Sequence, residues 1–179
     1  HLTTRRQRQM CIRDRFQTRP KYSNEGKKEI LHNFFENKKI GQSLKPVVVT
    51  AYDLEARKPI LLSSYGDPEV TAVQAANASS AAPIYFPTAS MEDGRWLIDG
   101  GIATNNPSLL GYIEAKKIFS TNNIKVLGIG AGLNKRKISG RNSKNWGALG
   151  WLRHDILGIM LESSLQNEIL KDLIGDDYL

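Results

Sequence analysis

Apolar positions recur along this chain with two different periods, and the alternation between them predicts its elements. From Ser23 to Asn37, residues Ile30, Leu31, Phe34 and Phe35 fall on one face at helical spacing, which predicts an amphipathic helix. The run from Pro46 to Asp53 is rich in β-branched residues and reads as a buried strand. A polar break over 54–59 leads into a second, paired strand over 60–65. Asp67 and Pro68 form a helix start, the alanine-rich stretch behind them carries a helix to Ala82, and Pro83 ends it. Residues 84–87 read as loop.

Glu92–Gly94 reads as a tight turn feeding a strand over 95–98. Pro107, preceded by Asn106, opens a helix to Phe119 with Leu109, Leu110, Ile113 and Ile118 as its apolar positions. A further strand is predicted over 124–130, a polar loop over 133–145, and a last helical region from Ala148 to Leu173. In that region Leu149, Leu152, Ile156 and Met160 form one stripe. Strands separated by helices predict an α/β layer fold, with a mixed, partly parallel sheet flanked by helices. No internal repeat is present.

Composition changes this picture little. A chain of 179 residues, 40% apolar and 24% charged, has the make-up of an ordinary one-domain protein. The longest apolar run near its end, residues 156–161, is far too short to span a bilayer. Cys11 is the only cysteine and can form no internal disulfide. The opening residues are basic with no apolar stretch behind them, unlike a signal peptide, so a reducing, cytoplasmic location is the expectation. Three histidines, His1, His32 and His154, speak against a zinc site built by the protein. No metal and no cofactor are expected.

Charge divides the chain. The net charge is +7, yet residues 1–46 hold 12 basic and 4 acidic groups, a balance of +8. The rest therefore carries 25 − 12 = 13 basic and 18 − 4 = 14 acidic groups, a balance of −1. Basicity confined to one end argues against a nucleic-acid-binding body, and no nucleic-acid partner is expected. That end reads either as a solvated arm or as a patch for phosphate or anionic lipid head groups. Residues 1–18 are read as a basic segment, disordered or foreign to the fold, and 19–179 as the body.

The stretch LIDGGIATNNP, Leu97–Pro107, holds the strongest candidate for chemistry. Asp99 stands at the end of a predicted strand, the usual edge of a ligand crevice in open α/β sheets. Gly100 and Gly101 lack a Cβ and let backbone approach closely. A carboxylate so placed can serve as a base or orient a nucleophile; the alternative is an ordinary acidic turn. Ser79 and Ser80 lie in a predicted helix with no base beside them and read as packing or capping residues. Gly128, Gly130 and Gly132 follow a strand, but their Gly-x-Gly-x-Gly spacing fails as a dinucleotide fingerprint and reads as a close-packed strand end.

Four ordered blocks together resemble the patatin-like phospholipase family: VVTAYDLEARKP at 48–59, ASSAAPIYFP at 78–87, LIDGGIATNNP at 97–107 and LGIGAG at 127–132. PKYSNEG at 20–26 and WGALGWL at 146–152 are similar to bacterial members, so the resemblance runs over about residues 19–175. It implies that Asp99, Gly100 and Gly101 form the family's Asp-Gly-Gly/Ala motif. Asp99 would be the acid of a serine–aspartate dyad that hydrolyses acyl esters of lipids without a histidine. The implied partner is a lipid or acyl-ester substrate, with peripheral membrane contact as a further expectation.

The sequence departs from the family in one respect. No Gly-x-Ser-x-Gly occurs anywhere; Gly41-Gln42-Ser43 comes nearest and lacks the second glycine. No glycine-rich loop precedes residue 60 either. The expectation is therefore the carboxy-terminal part of a patatin-like domain, with the amino-terminal strands and nucleophile elbow missing. Such a chain would carry only the aspartate half of the dyad and be inactive alone. The alternative is a non-catalytic lipid- or membrane-binding module on the same fold.

Overall fold

Asp53 makes the first turn of the sheet. It is buried, and its Oδ1 accepts hydrogen bonds from the amides of Glu55 (3.0 Å) and Ala56 (2.9 Å). Those bonds fold the chain back within four residues, so β1 (Val48–Asp53) and β2 (Lys58–Ser63) pair antiparallel from Val48–Ser63 to Asp53–Lys58. The computed structural model describes residues 19–130, 132, 137–154, 156–160 and 164–179. They fall into two compact units, the first reaching to Ala103 and the second running from Thr104 to Leu179. The opening segment 1–18, with His1 and Cys11, lies outside the described residues.

In the first unit two more strands complete the sheet. β3 (Ala89–Ser90) and β4 (Trp96–Asp99) are joined by a turn in which Gly94 has φ +88° and Asp93 Oδ1 accepts the Arg95 amide at 3.0 Å. The order is β2-β1-β4-β3, and every pairing among these strands is antiparallel. The α/β class predicted from the sequence is present, but its parallel component is not in this sheet. Tight turns connect β1 to β2 and β3 to β4, and such turns can join only antiparallel neighbours.

α1 spans Glu25–Phe35 and α2 spans Ala72–Ser79. α2 starts later than Asp67-Pro68 predicts, because Thr71 forms a capping box with Gln74, each side chain accepting the other's amide at 3.1 Å. Asp67 serves the sheet instead, accepting the Ser63 amide at 3.2 Å and pairing with Arg95 at 3.5 Å. Through small residues, Ala75 and Ala78, α2 lies close against the sheet and joins a core of Ala51, Leu62, Ala81, Ala89, Met91 and Leu97. Leu62 and Leu97 are wholly buried, each stabilising the unit by about 1.5–3 kcal/mol. α1 packs on α2. The predicted amphipathic face forms, but none of its residues is buried: Ile30 is 58% and Phe34 76% exposed.

α3 (Gly101–Thr104) follows β4 directly. The second unit holds α4 (Ser108–Phe119), α5 (Gly140–Ser143), α6 (Ala148–Arg153), α7 (Ile156–Met160) and α8 (Ser164–Ile174), with α4 packed on α8. Within the predicted helical region 148–173, α6, α7 and α8 are described, while residues 155 and 161–163 lie outside the described residues. His154 closes α6: its amide bonds the carbonyls of Gly150 and Trp151, and its ring stacks on Trp146 at 4.0 Å. Leu149 and Leu152 of the predicted stripe are exposed; the side chain of Met160 lies outside the described residues. Of the strand predicted over 124–130 one parallel bridge is present, Val126–Tyr178, with backbone bonds to Asp177 and Leu179. Most of the predicted loop is described, and within it Ser139 caps α5; residues 131 and 133–136 lie outside.

Candidate active site

Asp99 is the last residue of β4 and pairs with Ala51 of β1. Side chains opposite each other in an antiparallel ladder share a face, and residues two apart do so again. Asp99 therefore stands on the same face as Ala51, Leu97 and Asp53, the face that α2 covers. It is half-buried. Its amide donates to Ala81 O at 3.2 Å, and its Oδ1 accepts from the Gly101 amide at 2.8 Å. The chain on both sides of the carboxylate is thus tied down by backbone bonds.

The two glycines have separate tasks. Gly100 is buried, and a Cβ there would run into the backbone carbonyl of Thr50 on β1. Only glycine lets the chain leave the sheet at this point. Gly101 opens α3 and presents its amide to the Asp99 carboxylate. Asn106 works within the second unit. Its Oδ1 accepts the Ser108 amide at 2.9 Å at the start of α4, its amide donates to Gln166 at 3.2 Å, and its Nδ2 donates to Asn167. Tyr178 donates to Asn167 at 2.6 Å, and its phenol is held below the usual range by hydrogen bonds with Asn106 and Ser108.

Ser80 behaves as a capping residue, as its sequence setting predicts: it closes α2, and its hydroxyl donates to Ala76 O at 2.7 Å. Ser43 donates to Lys45 O at 2.7 Å beside a 3-10 turn at Ile40–Gln42, which is no strand-to-helix elbow. Gly128 is close-packed, for a Cβ there would lie 2.8 Å from the Tyr178 hydroxyl. Its amide bonds Leu179 O rather than facing an anion site. Among the described residues, no group of three or more His, Cys, Asp or Glu side chains is placed to hold a metal.

Lys27 was not singled out by the sequence. It reaches from α1 to the end of α2, where Nζ donates to Asn77 O (3.3 Å), Ser80 O (3.2 Å) and Ser80 Oγ (3.2 Å). The ammonium also lies over the Phe86 ring, 4.4 Å from its centre. Burial pulls its pKa below the usual lysine value; the charge of Asp99 acts the other way, and Lys28 adds to the lowering. One signal could have found it: Lys27 precedes Leu31 by one helical turn, a cation at the end of an apolar stripe. Beside it, Tyr22, Lys27, Ile30, Leu31 and Phe86 line an open cleft of about 440 Å³. Tyr22 stands there because the amides of Lys21 and Tyr22 bond the carbonyls of Ile84 and Tyr85, and its ring packs on Tyr85 and Phe86.

Comparison with known proteins places these features in a wider group. A family model described as patatin-like phospholipase matches residues 5–110, a stretch that includes β1 to β4 and Asp99. Patatin-like protein 1 of Arabidopsis thaliana is 32% identical over 177 residues, covering 81% of this chain and 43% of that protein. Patatin-like protein 2 of the same plant is 31% identical, covering 77% and 41%. A bacterial relative, the cGAMP-activated phospholipase of Pseudomonas aeruginosa, is 28% identical, covering 88% and 50%. The chain spans about two fifths to one half of the length of these curated relatives.

Proposed function

The chain belongs to the patatin-like phospholipase family, and on that premise we propose that it carries the acidic half of a serine–aspartate dyad that cleaves acyl esters of lipids. The observation that carries this reading is the setting of Asp99. It is a half-buried carboxylate at a strand end, oriented by the Gly101 amide and backed by the small-residue helix α2.

The chemistry divides into two steps. A serine hydroxyl attacks the acyl carbonyl while the Asp99 carboxylate takes its proton; the ester C–O bond breaks, and that proton leaves with the alcohol. Water then attacks the acyl-serine, again giving its proton to Asp99, and the fatty acid departs as serine recovers the proton. With no Gly-x-Ser-x-Gly in these 179 residues, the serine and the oxyanion donors belong to another part of the protein. Asp99→Asn in a protein that also carries the nucleophile should lower acyl-ester turnover by about 10²–10⁴-fold. Turnover retained within a factor of two would remove Asp99 from the chemistry. The 179-residue chain alone should hydrolyse no chromogenic ester, and a fluorophosphonate should label none of its serines.

A second reading, contact with a membrane surface, is favoured by α1. Ile30 and Phe34 are exposed on a helix that also carries the exposed Lys28, features of an interfacial helix. Flotation with anionic and neutral vesicles tests it, and Phe34→Ser should weaken capture. Capture that is equal with and without anionic lipid, and unchanged in Phe34→Ser, would end this reading.

A further inference from the structure

We propose that Lys27 is a positioning residue for Asp99, an ammonium that holds the end of α2 in place and faces the carboxylate across it. Its place in a catalytic site rests on the dyad reading above; the coupling between the two side chains does not.

The argument starts with where the ammonium ends. A lysine on an exposed helix ordinarily leaves its charge in water, since a cation loses solvation on burial. Lys27 instead reaches inward. Three acceptors receive it, two of them carbonyls of the last turn of α2, the end of a helix where partial negative charge gathers. The Phe86 ring covers it from another side.

The next link is covalent. Ser80, whose carbonyl and hydroxyl both accept from Lys27, is followed by Ala81, whose carbonyl accepts the Asp99 amide at 3.2 Å. A shift of the Ser80 turn is therefore passed to the backbone of Asp99. Lys28 lies on the same helix, Lys21 stands over the Tyr22 and Tyr85 rings, and α2 itself carries no ionisable side chain. Asp53, on the same sheet face, is engaged with the amides of its own turn. Lys27 is thus a cation bonded to the turn from which the Asp99 backbone is held.

The experiment is nitrogen-15 NMR on the Lys27 ammonium of the full chain, in wild type and Asp99→Asn. The Lys27 titration should move to lower pH in Asp99→Asn, where the neighbouring negative charge is gone, and the difference should shrink in high salt. An unchanged titration would overturn the proposal. If Asp99→Asn does not fold, wild type alone decides. Its Lys27 Nζ resonance should respond when acid protonates Asp99, and a flat response would overturn it equally. Amide exchange reads the mechanical link: Lys27→Met should speed exchange at Asp99 by about tenfold, and Lys27→Arg should restore most of the protection. None of these measurements reads hydrolysis, so they fail or succeed apart from the dyad.

Discussion

α2 spans eight residues, of which Val73, Ala75, Asn77 and Ala78 are buried; α1 spans eleven and buries none. The two pack against each other, yet they treat apolar surface in opposite ways. α2 is made of small residues and carries a capping box, so its backbone comes close to the sheet and the core is shared with β1, β2 and β4. α1 holds the larger apolar side chains, Ile30, Leu31, Phe34 and Phe35, and leaves most of the surface of Ile30 and Phe34 in water. The stronger hydrophobic face is therefore not the one the fold uses. Between these two helices the small residues are the buried ones, because they permit close approach, and Ile30 and Phe34 of α1 stay exposed.

This contrast can be broken by mutation. The largest loss of stability should come from the α2–sheet core: Leu62→Ala leaves a cavity in a wholly buried site and should cost about 2–5 kcal/mol in urea unfolding. Gly100→Ala should follow, at about 1–3 kcal/mol, since the new methyl group meets the Thr50 backbone and must displace it. Thr71→Ala removes the cap of α2 and should cost about 1 kcal/mol. Phe34→Ser on α1 should change unfolding by no more than about 0.5 kcal/mol. A loss at Phe34 as large as that at Leu62 would show that α1 belongs to the core after all, and the contrast would fall.

Much of this was legible in the sequence, for local reasons. The β-branched run before Asp53, the Gly94 turn, and the pairing of Asn106 with Pro107 ahead of α4 are short-range signals, and each fell where the residues placed it. Asp99 at a strand end was legible too, because strand and glycine pair announce each other. What was hidden depends on contacts distant in sequence. Thr71 outcompeted Asp67 as a cap because Asp67 is taken by Ser63 and Arg95. The strand predicted at 124–130 keeps a single bridge, to Tyr178, a partner 52 positions further along the chain. Lys27 lies 72 positions before Asp99, and its place one turn before Leu31 is a local signal that says nothing of that distant carboxylate.

The Ala51–Asp99 pairing has a last consequence, for how such a site changes over evolutionary time. Neighbouring positions in a strand point to opposite sides, so a slip of β4 by one residue would carry the carboxylate away from α2 altogether. Single-residue insertions and deletions between β3 and Asp99 should then be rarer among descendants of this protein than substitutions. Lineages would drift in composition along β4 while keeping its length.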